Sequence, residues 1–425
     1  MLAVAIALMF GACDLGERFA EKSAWEESAV DFVVDHARDG FEFASQKRDI
    51  VNCLRRGGSS WRGIEAYESR IYYGAGGAER VEISLYNKGD DKSGMPMGEG
   101  ELRTLLNKVA AKVEPGGRLG RPEHRKLKTG GLAYVRKWPN LDPSVELAWG
   151  ISGGDGRVKG VEYVRIVLTP RKSSKPAGVA KVVSGVEARS KIKANVMKNS
   201  DGDVWIKDVP MVDQGRKGYC AVAAAERVMR YYGNHVDEHE LAQMANSSAE
   251  QGTSLTDMIE TVRLVGSKYR LGYSEIVKML GSMDDVMKEI ESYNKVAKAE
   301  KAEKISIERF TYGNRIAIGE MREAMSPKIV KKMRLKDGRY RKFLTEVKAQ
   351  VDKGVPVFWG VTLGMYPEPG LPQTAGGHIR LIIGYNVARK EILYSDTWGA
   401  GHELKRMPED WAFAITHSAF YLKPL

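Results

Sequence analysis

Three cysteines in 425 residues are too few for a disulfide scaffold to hold this chain together, so a hydrophobic core must do so. The material is there: 43% of residues are hydrophobic, with aromatics throughout, which is globular composition and not that of a disordered chain. The apolar run at the start, MLAVAIALMFGAC, is too short to cross a bilayer as a helix. No internal repeat or long low-complexity tract stands out, and the length makes two domains the natural expectation. Acidic residues are outnumbered, 55 against 66 Lys and Arg, for a net charge of +11. Such a surface favours anionic surroundings, among them acidic envelope polymers and lipid headgroups, and says nothing of fold.

The opening run suits the hydrophobic part of a signal peptide. Gly11-Ala12-Cys13 also resembles a bacterial lipoprotein box, in which Cys13 would be acylated after cleavage. A buried N-terminal helix is the plainer alternative. The expectation is an exported protein in the cell envelope or outside the cell, meeting the membrane only through a lipid on Cys13.

Residues 14–170 read as a mixed α/β domain. Ala66–Tyr73 and Arg80–Tyr86 alternate in polarity across Gly-Ala-Gly-Gly-Ala-Glu, a hairpin pattern. Leu102, Leu105, Leu106, Val109 and Val113 share one helical face. Ser144–Ile151 and Val161–Leu168 form a second hairpin pattern. Its Ser152-Gly-Gly-Asp-Gly connection joins strand to strand, so no helix N-terminus awaits a phosphate there. A basic, small-residue stretch over 171–202 reads as a linker. In 203–425 a strong helix follows Cys220, a charged segment near 274–304 reads as a helical insertion, and strand patterns fill the C-terminal part.

Thiol hydrolases need a thiol poised to ionise, a base, a group orienting that base, and donors for an oxyanion. Glycines precede Cys220 and an alanine-rich run follows it, which puts the thiol at a helix N-terminus, where the helix dipole favours thiolate. A lone cysteine is more commonly a small buried hydrophobe. Gln214 stands upstream, where a side-chain amide can join the Cys220 N–H in holding an oxyanion; alone it is a polar loop residue. Gly376-Gly377-His378 opens an apolar run, Ile379–Tyr385, broken only by Arg380. Asp396 follows on the next strand pattern, with 386–390 as the turn, so His378 and Asp396 fall at matching ends of an antiparallel pair.

The order Gln214, Cys220, His378, Asp396 resembles that of papain-like cysteine peptidases, and more closely the bacterial branch related to bacteriocin-processing, double-glycine-leader peptidases. Tyr219-Cys220, Arg230-Tyr-Tyr-Gly233, Glu240-Leu-Ala242, Gly252-Thr-Ser-Leu255, Gly377-His378 and Asp396-Thr-Trp-Gly399 carry the resemblance, over about 204–421. It implies an α+β, two-lobed peptidase domain, a helical lobe facing an antiparallel sheet, behind a smaller mixed α/β domain. It also implies peptide-bond hydrolysis through Cys220, His378, Asp396 and Gln214, on protein or peptide substrates. Ala221-Val222 stand where that family usually has Gly-Pro, and the interval from Cys220 to His378 is long for the branch.

Other signals give way to plainer readings. His235 and His239 have metal-ligand spacing, but Asp237 with Glu240 reads as a helix cap, and Ser254 with Asp257 as another. Neither a metal nor a cofactor is expected. The basic run Lys331–Lys342 reads as a solvated loop before a helix over 343–353 and not as a nucleic-acid site. Trp398 and Trp411 fit a cleft or a core equally. Cys53 reads as a structural thiol on a helical stretch, and a Cys53–Cys220 disulfide would silence the enzyme. An acyl transferase or amidase would use the same Cys-His-Asp set, and a binding module could keep the scaffold without the chemistry. The first domain is open between wall binding, substrate recognition and a pro-region.

Overall fold

Antiparallel pairing dominates both halves of the molecule, as the alternating strand patterns require. The computed structural model describes residues 12–91, 97–127, 131–153, 158–171, 190–215, 218–234, 236, 238–245, 255–279, 282–313, 315–373 and 375–425. Most of the linker stretch therefore lies outside the described residues, as do His235, Asp237, Gly252, Thr253, Ser254 and residues 154–156 of the Ser152–Gly156 connection. The chain divides into two compact units. One comprises residues 1–179, 215–219 and 237–254, the other 180–214, 220–236 and 255–425.

The first unit is built on an eight-stranded antiparallel sheet. Glu68–Gly74 and Gly77–Asn87 form its first expected hairpin, Gly74 pairing with Gly77. Gly77 has φ +113°, and a Cβ there would sit 2.1 Å from the Trp25 carbonyl oxygen, so glycine is required twice over. Ser144–Ser152 and Gly160–Thr169 form the second, with Val145 opposite Leu168. The helix Glu99–Val113 buries Leu102, Leu106, Val109 and Val113, with Leu105 at the margin of the core. At its start the Glu101 carboxylate accepts from the Gly98 N–H at 2.9 Å.

Cys53 lies on a strand, Ile50–Cys53, and not on a helix. The β-branched pair Ile50-Val51 prefers the pleated backbone and pairs with Ile71 and Tyr72. The thiol is fully buried and donates weakly to the Asp39 and Arg55 carbonyls at 3.6 and 3.8 Å. All three cysteines are free, so no Cys53–Cys220 bridge forms.

The second unit places helices on an antiparallel sheet. Its backbone path runs Val196–Lys198, Asp203–Ile206, Gly376–Asn386, Val357–Leu363, Thr416–Pro424 and Leu271–Lys278. Glu391–Ser395 pairs along the other side of Gly376–Asn386 and carries Lys405–Pro408 beyond it. The helix Cys220–Tyr231 is buried nearly all round; Ala221, Ala223, Ala224 and Ala225 are at most 3% exposed, so their small size permits close approach to the sheet. Gly233, at φ +80°, closes the helix, and the Tyr231 and Tyr232 hydroxyls donate to the Gly354 and Leu422 carbonyls.

Two expectations change here. Of the charged segment 274–304, residues 274–278 belong to a sheet strand, since Ile276 and Val277 bury against the core; only Met283–Ala299 is helix. That helix buries Val286, Ile290, Tyr293 and Ala297 at helical spacing behind a Ser282 cap. The basic run is no loop: it spans the end of helix Pro327–Leu335 and the start of Arg339–Val351. Ile329, Val330 and Met333 bury one face, while carboxylates take Lys331, Lys332, Arg334 and Arg339. Among the described residues no helix is long and apolar enough to cross a membrane.

Candidate active site

Cys220 is the first residue of its helix and is half-buried. His378 is the third residue of the strand Gly376–Asn386, 1% exposed, and Asp396 follows the end of Glu391–Ser395, fully buried. Leu381 pairs with Ser395, so the register carries both side chains to one end of the strand pair. His378 Nε2 lies 2.5 Å from Asp396 Oδ1. That leaves Nδ1 for the thiol: it has no aligned hydrogen-bond partner among the described residues, while Cys220 and His378 each shift the other's proton affinity. Catalytic hydrogen bonds are commonly misaligned until substrate binds.

The electrostatics follow from these contacts. Burial opposes a Cys220 thiolate, but His378 and the Ile379 and Ala221 backbone N–H groups outweigh it, so the thiol ionises below its ordinary range. Burial likewise opposes an imidazolium on His378; the Asp396 carboxylate overcomes it and pushes the ring up to about 9. Asp396 is held down at about 2 against its own burial, by His378, Arg380 and the Thr397 N–H. A lowered thiol and a raised imidazole both favour thiolate and imidazolium over the neutral pair.

Gln214 is 4% exposed and tied to the same loop as Asp396. Its N–H donates to the Thr397 carbonyl at 2.8 Å, and the Thr397 hydroxyl donates to its Oε1 at 2.5 Å. With Oε1 accepting, Nε2 is the end that can donate to an oxyanion. Trp398 stacks on His378 with centroids 4.2 Å apart and planes 2° from parallel, which covers one face of the imidazole. Trp411 is elsewhere, half-buried against Tyr366.

Three residues about Asp396 were given no role by the sequence, although Thr397 lies in the Asp396-Thr-Trp-Gly399 motif. Arg227 donates to the Pro210 and Asp396 carbonyls and to the Ser395 hydroxyl. Arg380 puts Nε 2.9 Å from Asp396 Oδ2, and Thr397 orients Gln214. Arg380 left a trace in the sequence as the charge interrupting an apolar strand, and Thr397 as part of the motif after Asp396.

In the first unit, Cys13 is 7% exposed with Sγ 3.9 Å from His36 Nε2, and His36 Nδ1 is 3.0 Å from Asp39 Oδ2. An acyl chain on that sulfur would have to draw it out of this pocket. As a metal site the cluster is short of donors, because Asp39 is spent on the imidazole. The nitrogens of His239 face Asn87 and Glu68, and its ring stacks on Tyr163.

Among known proteins, the peptidase domain of Streptococcus ComA, a bi-functional ABC transporter involved in a quorum sensing pathway, is similar at 13% identity. The match covers 51% of this chain and 100% of that domain, with a TM-score of 0.26. Xylellain, a cysteine protease from Xylella fastidiosa, is also 13% identical, covering 55% of this chain and 89% of its own, with a TM-score of 0.27. No curated protein matches. The model of the Peptidase_C39 like family matches residues 206–297 and 292–419, half of the chain. The chain therefore belongs to the Peptidase_C39-like family and is a cysteine peptidase.

Proposed function

We propose that the protein hydrolyses peptide bonds through a thioester acyl-enzyme on Cys220. The observation that carries this is the buried His378–Asp396 pair beside a thiol at a helix N-terminus. The Cys220 thiolate attacks the scissile carbonyl carbon, and the oxyanion is held by the Cys220 N–H and Gln214 Nε2. As the C–N bond breaks, His378 Nδ1–H gives its proton to the leaving amine. Neutral His378 then takes a proton from water, whose oxygen attacks the thioester, and the thiolate leaves with its imidazolium restored. Asp396 stays ionised throughout, holding the ring by Nε2.

The place of action we propose is the bacterial cell envelope or the outside of the cell, on the strength of the N-terminal apolar run. Given the buried Cys13 sulfur, export without a lipid is the form we carry forward.

The test is cleavage of a peptide library by the full chain in ¹⁸O-water, with Cys220→Ala beside it. Hydrolysis puts one labelled oxygen into each new carboxylate, and Cys220→Ala removes all turnover while keeping the wild-type circular dichroism. Turnover of Cys220→Ala within a few-fold of wild type contradicts the assignment. Amide products without label point instead to acyl transfer.

A further inference from the structure

Arg380 sits two residues beyond His378 on the same strand and is fully buried. A guanidinium is costly to bury unless carboxylates face it, and here two do. Its Nε is 2.9 Å from Asp396 Oδ2, the oxygen His378 does not use, and its Nη1 donates to Glu368 Oε2 at 2.8 Å. The Nε–H is not aligned on Oδ2, so that contact acts through charge. The guanidinium also lies over the Tyr394 ring at 4.7 Å, and the Tyr394 hydroxyl donates to the same Glu368 oxygen. Glu368 belongs to the connection between Val357–Leu363 and Gly376–Asn386, the loop that runs straight into His378.

Resting on the Cys220–His378–Asp396 assignment, we propose that Arg380 is a positioning residue acting through Asp396, and that Glu368, by neutralising Arg380, sets how strongly that cation bears on the imidazolium. Arg380 holds Oδ2 so that Oδ1 is presented to His378 Nε2. Its charge also has a cost, because a fixed cation beside the pair works against a proton on His378. Glu368 offsets that cost from the loop. With Arg227 counted, three cations (His378, Arg380, Arg227) then face three anions (Cys220, Asp396, Glu368) in the resting site. Acylation consumes the thiolate and leaves one uncompensated positive charge. The imidazolium is the member that can discharge it, by passing its proton to the leaving amine.

The remaining titratable groups around the cluster do not supply this effect. Burial keeps Tyr394 neutral far above the working range and pushes His402 down. Lys405 bears on Asp396, Arg380 and Glu368 through space, as Glu403 does on Arg227.

The two charges make opposite predictions, which a merely structural role does not. The probe is iodoacetamide, followed as peptide-resolved alkylation of Cys220 in the full chain from pH 4 to 10. The upper inflection of that profile marks loss of the imidazolium proton. Arg380→Gln is expected to move it up by about one pH unit, tenfold in proton concentration. Glu368→Gln is expected to move it down, and Arg380→Lys, which keeps the charge, to leave it near wild type. Inflections that stay put in Arg380→Gln and Glu368→Gln, or move in one direction, overturn the proposal. If Arg380→Gln does not fold, the sign of the Glu368→Gln shift decides. Failure of the underlying assignment has a different signature: a wild-type profile that His378→Ala leaves unchanged.

Discussion

Among the described residues there are two Cys-His-Asp clusters, one in each unit, and they are not chemically alike. In the second unit the thiol heads a twelve-residue helix, an imidazolium stands beside it, and the thiol ionises below its ordinary range. In the first, Cys13 lies on the two-residue strand Cys13–Asp14 with its sulfur against His36, and burial pushes it up to about 12. The carboxylates differ as well. Asp396 is sealed from water, so it acts on His378 at low effective dielectric, whereas Asp39 keeps part of its surface exposed. Three residue types in hydrogen-bonding order are thus not enough. A helix dipole and a desolvated carboxylate separate an activated thiol from an inert one.

The largest effect should come from deleting each thiol in turn. Cys220→Ala is expected to abolish peptide cleavage and Cys13→Ala to leave it within a few-fold; a peptidase assay on both variants checks this. Next, at pH 7, iodoacetamide should label Cys220 at least about a hundredfold faster than Cys13, since thiolate fraction sets the rate even after the lower nucleophilicity of a low-pKa sulfur. Comparable rates by peptide mass spectrometry would erase the distinction. Gln214→Ala should then lower kcat by about 10²–10³ while leaving Cys220 labelling intact, because the role proposed for it is to hold an oxyanion and not the thiolate.

The smallest effect belongs to Asp14, next to Cys13. Its carboxylate caps helix Leu15–Arg18 and accepts from the Arg62 and Gly63 N–H groups. Asp14→Ala should cost about 1 kcal/mol of stability in denaturant titration and leave turnover unchanged. The contacts hold Asp14 below the ordinary carboxylate range despite burial. Its stabilisation is therefore present above the unfolded-state carboxylate pKa and lost as pH falls through the lower folded-state value.

What was legible in the sequence were features with a local signature. Glycine before and alanine after Cys220 mark a loop-to-helix boundary, and His378 and Asp396 fall near the same end of an antiparallel strand pair, on either side of its turn. The two hairpins of the first unit were legible for the same reason. The elements that were misread have ambiguous local chemistry. Ile50-Val51 preceding Cys53 suits a strand but sat in a stretch that read as helix. The basic run's charges masked the apolar spacing of Ile329, Val330 and Met333 that makes it helical. Arg227, Arg380, Thr397 and Glu368 were invisible as a group, because their partners come from distant parts of the chain and their meeting is a product of the fold. Cys13 shows the same limit from the other side: its N-terminal position draws attention, while its burial against His36 is set by residues far along the chain.

The most direct test of the central claim is the pH dependence of Cys220 alkylation in the purified full chain, resolved by peptide, with His378→Ala alongside. The thiolate–imidazolium pair predicts a reactive sulfur persisting well below the free-thiol pKa of about 8.5. It also predicts a second change near 9, where His378 loses its proton, and the disappearance of both features in His378→Ala. A single ordinary titration near the free-thiol value, the same with and without His378, would contradict it.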